Sequence, residues 1–244
     1  MTIELERRAF VQTGGVLAAA AAIATVLPPA TAVAQSPTPI PAGAKPVTYS
    51  VKPLRFDAKT IKGLSEKILV SHYENNYTGA VNRLNAITAQ LAGLDYASAP
   101  GFLVNGLKRE ELIAANSMIL HELYFAGLGE ESRPGAALAA ATARDFGSTD
   151  RWRAEFIAMG KAQGGGSGWV LLTWSPRDKR LVNCWAADHT TTLAGGQPIL
   201  ALDMYEHAYH MDYGAKAAAY VDAFMQVIRW DNAAKLYATY SKES

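Results

Sequence analysis

Apolar residues recur at helical spacing through residues 59–91 and again through 110–127, and the pattern then gives way to short β-rich runs. In the first stretch Ile61, Leu64, Ile68, Leu69, Val81, Leu84, Ile87 and Leu91 carry the repeat, which gathers them on one face of a helix. Gly79 falls inside it and weakens the case for an unbroken helix. Gly93 stands just past the last apolar residue, where a helix cap belongs. The second stretch carries Leu112, Ile113, Met118, Ile119, Leu120 and Leu123 and closes at Gly127. Two such helices joined by a modest loop at Pro100-Gly101 predict an antiparallel hairpin.

The second half reads differently. Residues 134–144 and 149–162 have helical character, with Ser148 or Thr149 as N-cap of the latter. A glycine-rich break at 164–168 precedes the β-rich runs 169–174 and 181–185, which are separated by the turn residues 175–179. Residues 197–202 supply a third strand, 214–228 a further helix, and a final helix follows the break at 229–231. The expectation is an α+β fold: a helical hairpin domain over 54–132, then an α/β domain over 133–244 with a three-stranded antiparallel sheet. The 164–168 glycines lead into a strand, whereas phosphate-binding loops open helices, so nucleotide binding is not indicated.

At 244 residues, half of them hydrophobic, the chain suits one globular unit or two small intimate domains. A formal net charge of +1 gives no basic surface for nucleic acid. The single cysteine, Cys184, excludes an internal disulfide framework and a thiolate-rich zinc site, and its strand context reads as a small buried residue. Residues 1–34 read as a leader: Arg7-Arg8, an uncharged apolar stretch over 15–27, Pro28-Pro29, and the small-x-small pattern Ala32-Val33-Ala34. The apolar stretch falls short of the ~20 residues a membrane span needs. Arg7 to Val11 also resembles a twin-arginine signal, which implies export, after folding, to a bacterial periplasm. Residues 35–53, with prolines at 37, 39, 41, 46 and 53, read as a flexible linker, and no membrane anchor is expected after cleavage.

The chemistry concentrates near the C-terminus. Asp203 closes the apolar run 198–202, and His207 follows four residues later. A carboxylate and an imidazole that close, at the end of a strand, can hold one metal ion from one side. Of the five histidines, His72 lies in the first helix and His121 in the second, and these helices must pack together. One imidazole from each, with Asp203 and His207, would complete a shell of three histidines and one carboxylate. Nitrogen and oxygen donors of that kind suit manganese or iron better than structural zinc.

The segment Asp203-Met204-Tyr205-Glu206-His207-Ala208-Tyr209 resembles the D-x-W-E-H-A-Y signature of the iron/manganese superoxide dismutases, with Tyr205 in place of tryptophan. Ser71-His72-Tyr73 and Leu120-His121-Glu122-Leu123-Tyr124-Phe125 are similar to the family's two helical ligand segments, and the likeness continues in order from residue 54 to 240. The resemblance implies conversion of two superoxide radicals to O2 and H2O2 by one Mn or Fe ion per subunit. It implies the ligands His72, His121, Asp203 and His207, a histidine tuning the metal's solvent at His189, and aromatic walls at Trp169, Tyr205 and Phe125. It also implies a homodimer in which Glu206 reaches the partner's His207. Placement of the tuner at His189, with Ser117 at the alternative position, looks more like manganese-type or metal-tolerant members. Where the family carries a histidine and a tyrosine as substrate gate, this sequence has Asn76 and Ala80; Asn76 can still hydrogen-bond, with Tyr209 as a partner, whereas Ala80 has no proton to give. That departure leaves open a non-catalytic, metal-binding relative. A zinc hydrolase is disfavoured by the lack of an H-E-x-x-H pairing.

Overall fold

A computed structural model describes residues 45–130 and 132–242; the leader with its twin-arginine pattern and residues 35–44 of the linker lie outside the described residues. Helix α1 (Glu66–Ser71) passes through a π-helical turn (His72–Tyr77) into α2 (Thr78–Ala92). Gly79 therefore does not break the helix; the irregularity lies one turn earlier, at the predicted ligand His72. The helix also starts later than residue 59. Residues Ala58–Thr60 form an isolated 3₁₀ turn, Gly63 takes φ 78°, and the Ser65 hydroxyl caps α1 by accepting from Ile68 N at 3.2 Å. Ile61 and Leu64 are nonetheless buried, so burial outran helicity there.

Helix α3 (Gly101–Ala126) packs along α2 to make the hairpin. It begins nine residues before the predicted start, because its first turns carry no inward face: Phe102 is 82% exposed. Val47 to Lys52, within the stretch read as a linker, lie against the hairpin. Asn85 accepts from Tyr49 N and donates to Tyr49 O, at 2.8 and 2.9 Å, and Lys52 N donates to the Tyr77 hydroxyl at 2.8 Å.

Helices α4 (Ala136–Phe146) and α5 (Thr149–Ala162) precede the sheet. Gly147, at φ 89°, ends α4, and Ser148 caps α5 by accepting from Arg151 N at 3.0 Å. Strands β1 (Trp169–Ser175), β2 (Arg180–Ala186) and β3 (Gln197–Asp203) form one antiparallel sheet in the order β2-β1-β3. Every residue of the central strand is buried. Its register sets Trp169 opposite both Ala186 and Asp203. Pairing with β3 slips between Leu172 and Thr173, where the partner is Pro198, a residue with no N–H to give the ladder. Gly168 enters β1 at φ 137°, and a Cβ there would lie 2.1 Å from the Ala186 carbonyl oxygen.

After β3 come a 3₁₀ turn (Glu206–Ala208), α6 (His210–Tyr213), α7 (Ala217–Phe224) and α8 (Asp231–Tyr240). Helix α7 stops short of the predicted residue 228 because its end is claimed by other backbone. Gly129 N donates to Val227 O at 3.0 Å, and Arg229 N to Gly127 O at 2.8 Å, bridging Leu128 to Ile228. That clasp ties the end of α3 to the C-terminal half, and one continuous core runs through both. Among the described residues no helix is long and apolar enough to cross a membrane.

Candidate metal centre

His72 opens the π-helical turn, His121 lies near the end of α3, Asp203 is the last residue of β3, and His207 sits in the following 3₁₀ turn. The clasp and the shared core bring these elements together, and one donor atom from each side chain lies within 4.8 Å of every other. Three imidazole Nε2 atoms face a single oxygen: Asp203 Oδ2 is 3.1 Å from His207, 3.2 Å from His72 and 3.6 Å from His121. A π-helical turn widens the helix and turns residues out of the regular stagger, a distortion that gathers at functional sites. No periodicity in the sequence announced it.

The hydrogen bonds around the cluster show which atoms are free to bind a cation. His121 Nδ1 lies 2.7 Å from the Ser117 carbonyl oxygen. A carbonyl only accepts, so Nδ1 carries the proton, and Nε2 presents its lone pair to the cluster. His72 Nε2 is buried with no hydrogen-bond partner, although a carboxylate oxygen is 3.2 Å away. Asp203 Oδ1 accepts from Tyr205 N at 2.8 Å, which leaves Oδ2 for the cluster. A buried orphan nitrogen, a free lone pair and a fully buried carboxylate meeting at one point is the donor set a hard-to-borderline divalent or trivalent cation satisfies.

The protonation states agree with this. Burial lowers the His72 pKa against the opposing pull of Asp203, and burial brings His121 down to about 3, so burial favours the neutral form of both rings. Burial would raise the Asp203 pKa, but the imidazoles that face it, His207 first and then His72, outweigh burial and hold the carboxyl well below the usual range. Neutral imidazoles and an ionised carboxylate are the ligating forms.

His189 stands beside the cluster, its ring 6.0 Å from that of His121. Trp169 Nε1–H donates to its Nδ1 at 3.0 Å, and Asn116 Nδ2 donates to its backbone oxygen at 2.5 Å. Burial lowers its pKa, with the Arg83 charge a smaller contribution in the same direction. A neutral ring that accepts at Nδ1 must carry its proton on Nε2. Tyr205 stacks between His189, at 4.8 Å, and His207, at 5.4 Å, and Trp169 meets His121 edge-on at 5.2 Å. Phe125 packs on His72 at 5.0 Å, and Tyr124, for which sequence reasoning had no firm place, does so at 4.9 Å.

A cavity of about 270 Å3 opens over His121, His189 and His207. Asn76 and Ala80 line it, as do Gly79, Ser117 and Arg83. Tyr209 is not brought to this cavity: it is buried, stacked on Tyr220 at 5.3 Å, with its hydroxyl on the Gly165 backbone. No hydrogen bond joins it to Asn76 within the chain. Sequence reasoning missed Asn116, the Ser117 carbonyl and Arg83. The i−4 spacing of Ser117 from His121 was a usable signal; Asn116 and Arg83 gave none.

A family model for the iron/manganese superoxide dismutase C-terminal domain matches residues 134–236. A superoxide dismutase [Fe] of Cupriavidus metallidurans is 70% identical over 190 residues, covering 78% of this chain and 96% of that protein. The chain belongs to the iron/manganese superoxide dismutases. More distant members of the family carry either metal in their names. A superoxide dismutase [Mn] 1 of Halobacterium salinarum is 36% identical, over 75% of this chain and 92% of its own length. A superoxide dismutase [Fe] of Aquifex pyrophilus is 34% identical, over 71% and 84%. The two helical histidines, His72 and His121, lie outside the residues the family model matches, so their place in the cluster rests on the geometry above.

Proposed function

We propose that His72, His121, Asp203 and His207 hold the one iron or manganese ion per subunit at which this chain dismutes superoxide. The convergence of four donor atoms, all within 4.8 Å of one another, carries the reading. When bound, that ion supplies the one-electron redox chemistry by which one superoxide leaves as O2 and a second, after taking up two protons, leaves as H2O2.

The side chains do the rest. Asp203 contributes a permanent negative charge in a buried site, where it favours the more highly charged state of a bound cation. The Ser117 carbonyl fixes the His121 ring in the tautomer that leaves Nε2 free. Trp169, Tyr205 and Phe125 limit the water that reaches the donors. His189 has a proton at Nε2 to donate to a small polar ligand in the cavity, and Asn76 adds a second polar side chain at the wall. Alanine at position 80 has no proton to give, so protons come from His189 Nε2–H or from solvent in the open cavity.

The exposed Glu206 beside the half-buried His207 supports a homodimer in which Glu206 reaches the partner's His207. Arg7-Arg8, the uncharged stretch 15–27 and Ala32-Val33-Ala34 support export and cleavage after residue 34. Pulse radiolysis of protein loaded separately with iron and manganese tests the activity. Superoxide decay that exceeds the free-ion background with at least one metal, and that is lost in His121→Ala, is expected. Decay equal to that of His121→Ala would leave a metal-binding protein without catalysis. Cell fractionation with N-terminal sequencing tests the export.

A further inference from the structure

The cavity above the metal donors is nearly uncharged. Asn75, Asn76, Gly79, Ala80 and Ser117 contribute amides, a hydroxyl and bare backbone, and no carboxylate is among its lining residues. The one permanently charged side chain in the lining is Arg83. It lies on α2 three and four residues beyond Ala80 and Gly79, so these three share one face of the helix. A Cβ added at Gly79 would meet nothing within 4 Å, so no side chain stands between the guanidinium and the interior at that position.

Arg83 is also held in place. Its guanidinium pairs with Glu110 of α3, which in turn takes Arg109 Nη1 at 3.3 Å. Two cations share one carboxylate, so the cluster keeps a net positive charge even when fully paired. The Arg83 side chain is 56% exposed, and a charge at the mouth of a low-dielectric cavity acts on ions approaching from solvent. Asp188, the acid next to His189, is occupied by Thr190 N and Oγ1 at 2.7 and 2.6 Å and by Thr191 Oγ1 at 3.0 Å.

We propose that Arg83 is the anion-recruiting side chain of this cavity, positioned by Glu110, and that it sets the rate at which superoxide reaches the site. The inference rests on the reading of superoxide as substrate. It assigns a role to a residue that does not touch the metal donors, so it is a positioning and specificity residue.

The test uses the full-length, metal-loaded protein and its variants Arg83→Gln, Arg83→Lys and Glu110→Gln. Two readouts are compared: the second-order rate with superoxide across ionic strength, and the affinity of the iron-loaded protein for azide, followed by absorbance. At low ionic strength Arg83→Gln loses roughly 3- to 10-fold in rate, within the range for electrostatic steering, and its salt dependence flattens. Azide affinity falls in step, and Arg83→Lys restores most of both. Glu110→Gln, which frees the guanidinium from its counter-charge, steepens the salt dependence. A merely structural role for Arg83 would move thermal stability and metal content and leave the salt slope alone. An Arg83→Gln protein with wild-type salt slope and azide affinity overturns the proposal, as does a flattened slope in Glu110→Gln. If the wild-type protein consumes no superoxide, the substrate reading fails, and the azide titrations still decide whether Arg83 recruits anions.

Discussion

Trp169 donates its indole N–H to Nδ1 of His189 at 3.0 Å, and this single bond assigns the proton of a neutral His189 to Nε2. Trp169 opens the central strand opposite Asp203, so the sheet that ends at Asp203 also fixes the tautomer of His189.

Replacing Trp169 with Phe keeps most of the ring volume and removes the donor. We expect metal content to stay near wild type, activity to fall by about 10-fold, the lower end of the effect of supporting shells, and the midpoint potential of the bound metal to shift. A Trp169→Phe protein with unchanged potential and unchanged rate would show that the indole N–H has no part in the chemistry.

Removing His121 takes one of the four candidate donors and leaves an incomplete shell around the buried Asp203. His121→Ala should purify with little or no iron or manganese by elemental analysis. The intact protein should be stabilised by its ion. Free metal at 1,000 times the dissociation constant is worth about 4 kcal/mol, a rise in melting temperature of roughly 8–16 °C for a domain of this size. Calorimetry with and without added metal reads that rise, which His121→Ala should lack.

Gly168, at the entry to the central strand, is hard to replace. Its φ of 137° and the 2.1 Å approach of a built Cβ to the Ala186 carbonyl oxygen leave no room for a side chain. Because the obstacle is backbone, Gly168→Ala should cost more than about 3 kcal/mol, seen as an earlier midpoint in urea. It should also disturb Met204, whose N–H donates to Gly168 O at 2.9 Å beside Asp203.

Cys184 lies on edge strand β2, partly covered, and burial raises its thiol pKa above the ordinary value. Alkylation follows the thiolate, and a raised pKa means less thiolate at every pH below it. Iodoacetamide should therefore react more slowly than with a free cysteine peptide at pH 8, and its rate should go on rising to a higher pH than the peptide's before it levels off. A rate equal to that of the peptide at pH 8 would contradict the burial effect.

The hairpin and the three strands were readable in the sequence from local signals, and the four candidate ligands were implied by the family resemblance of the segments that carry them. Helical spacing marked the buried faces of α2 and α3, β-rich runs and turn residues marked the strands, and the Asp203–His207 spacing with two mid-helix histidines pointed to a metal shell. The exposed first turns of α3 and the early end of α7 were not readable. One has no buried face to report it, and the other is set by backbone bonds to residues about a hundred positions away. Tertiary structure alone decided how the donors meet. The π-helical turn at His72, the clasp of Leu128 with Ile228 and the pairing of Trp169 with Asp203 carry no periodic signature, because each depends on groups that are distant in the chain. The same holds for the proton on His189 and the charge of Arg83 at the cavity mouth. The sequence names those residues, but only packing brings an indole N–H to an imidazole and a guanidinium to a funnel whose other walls are uncharged.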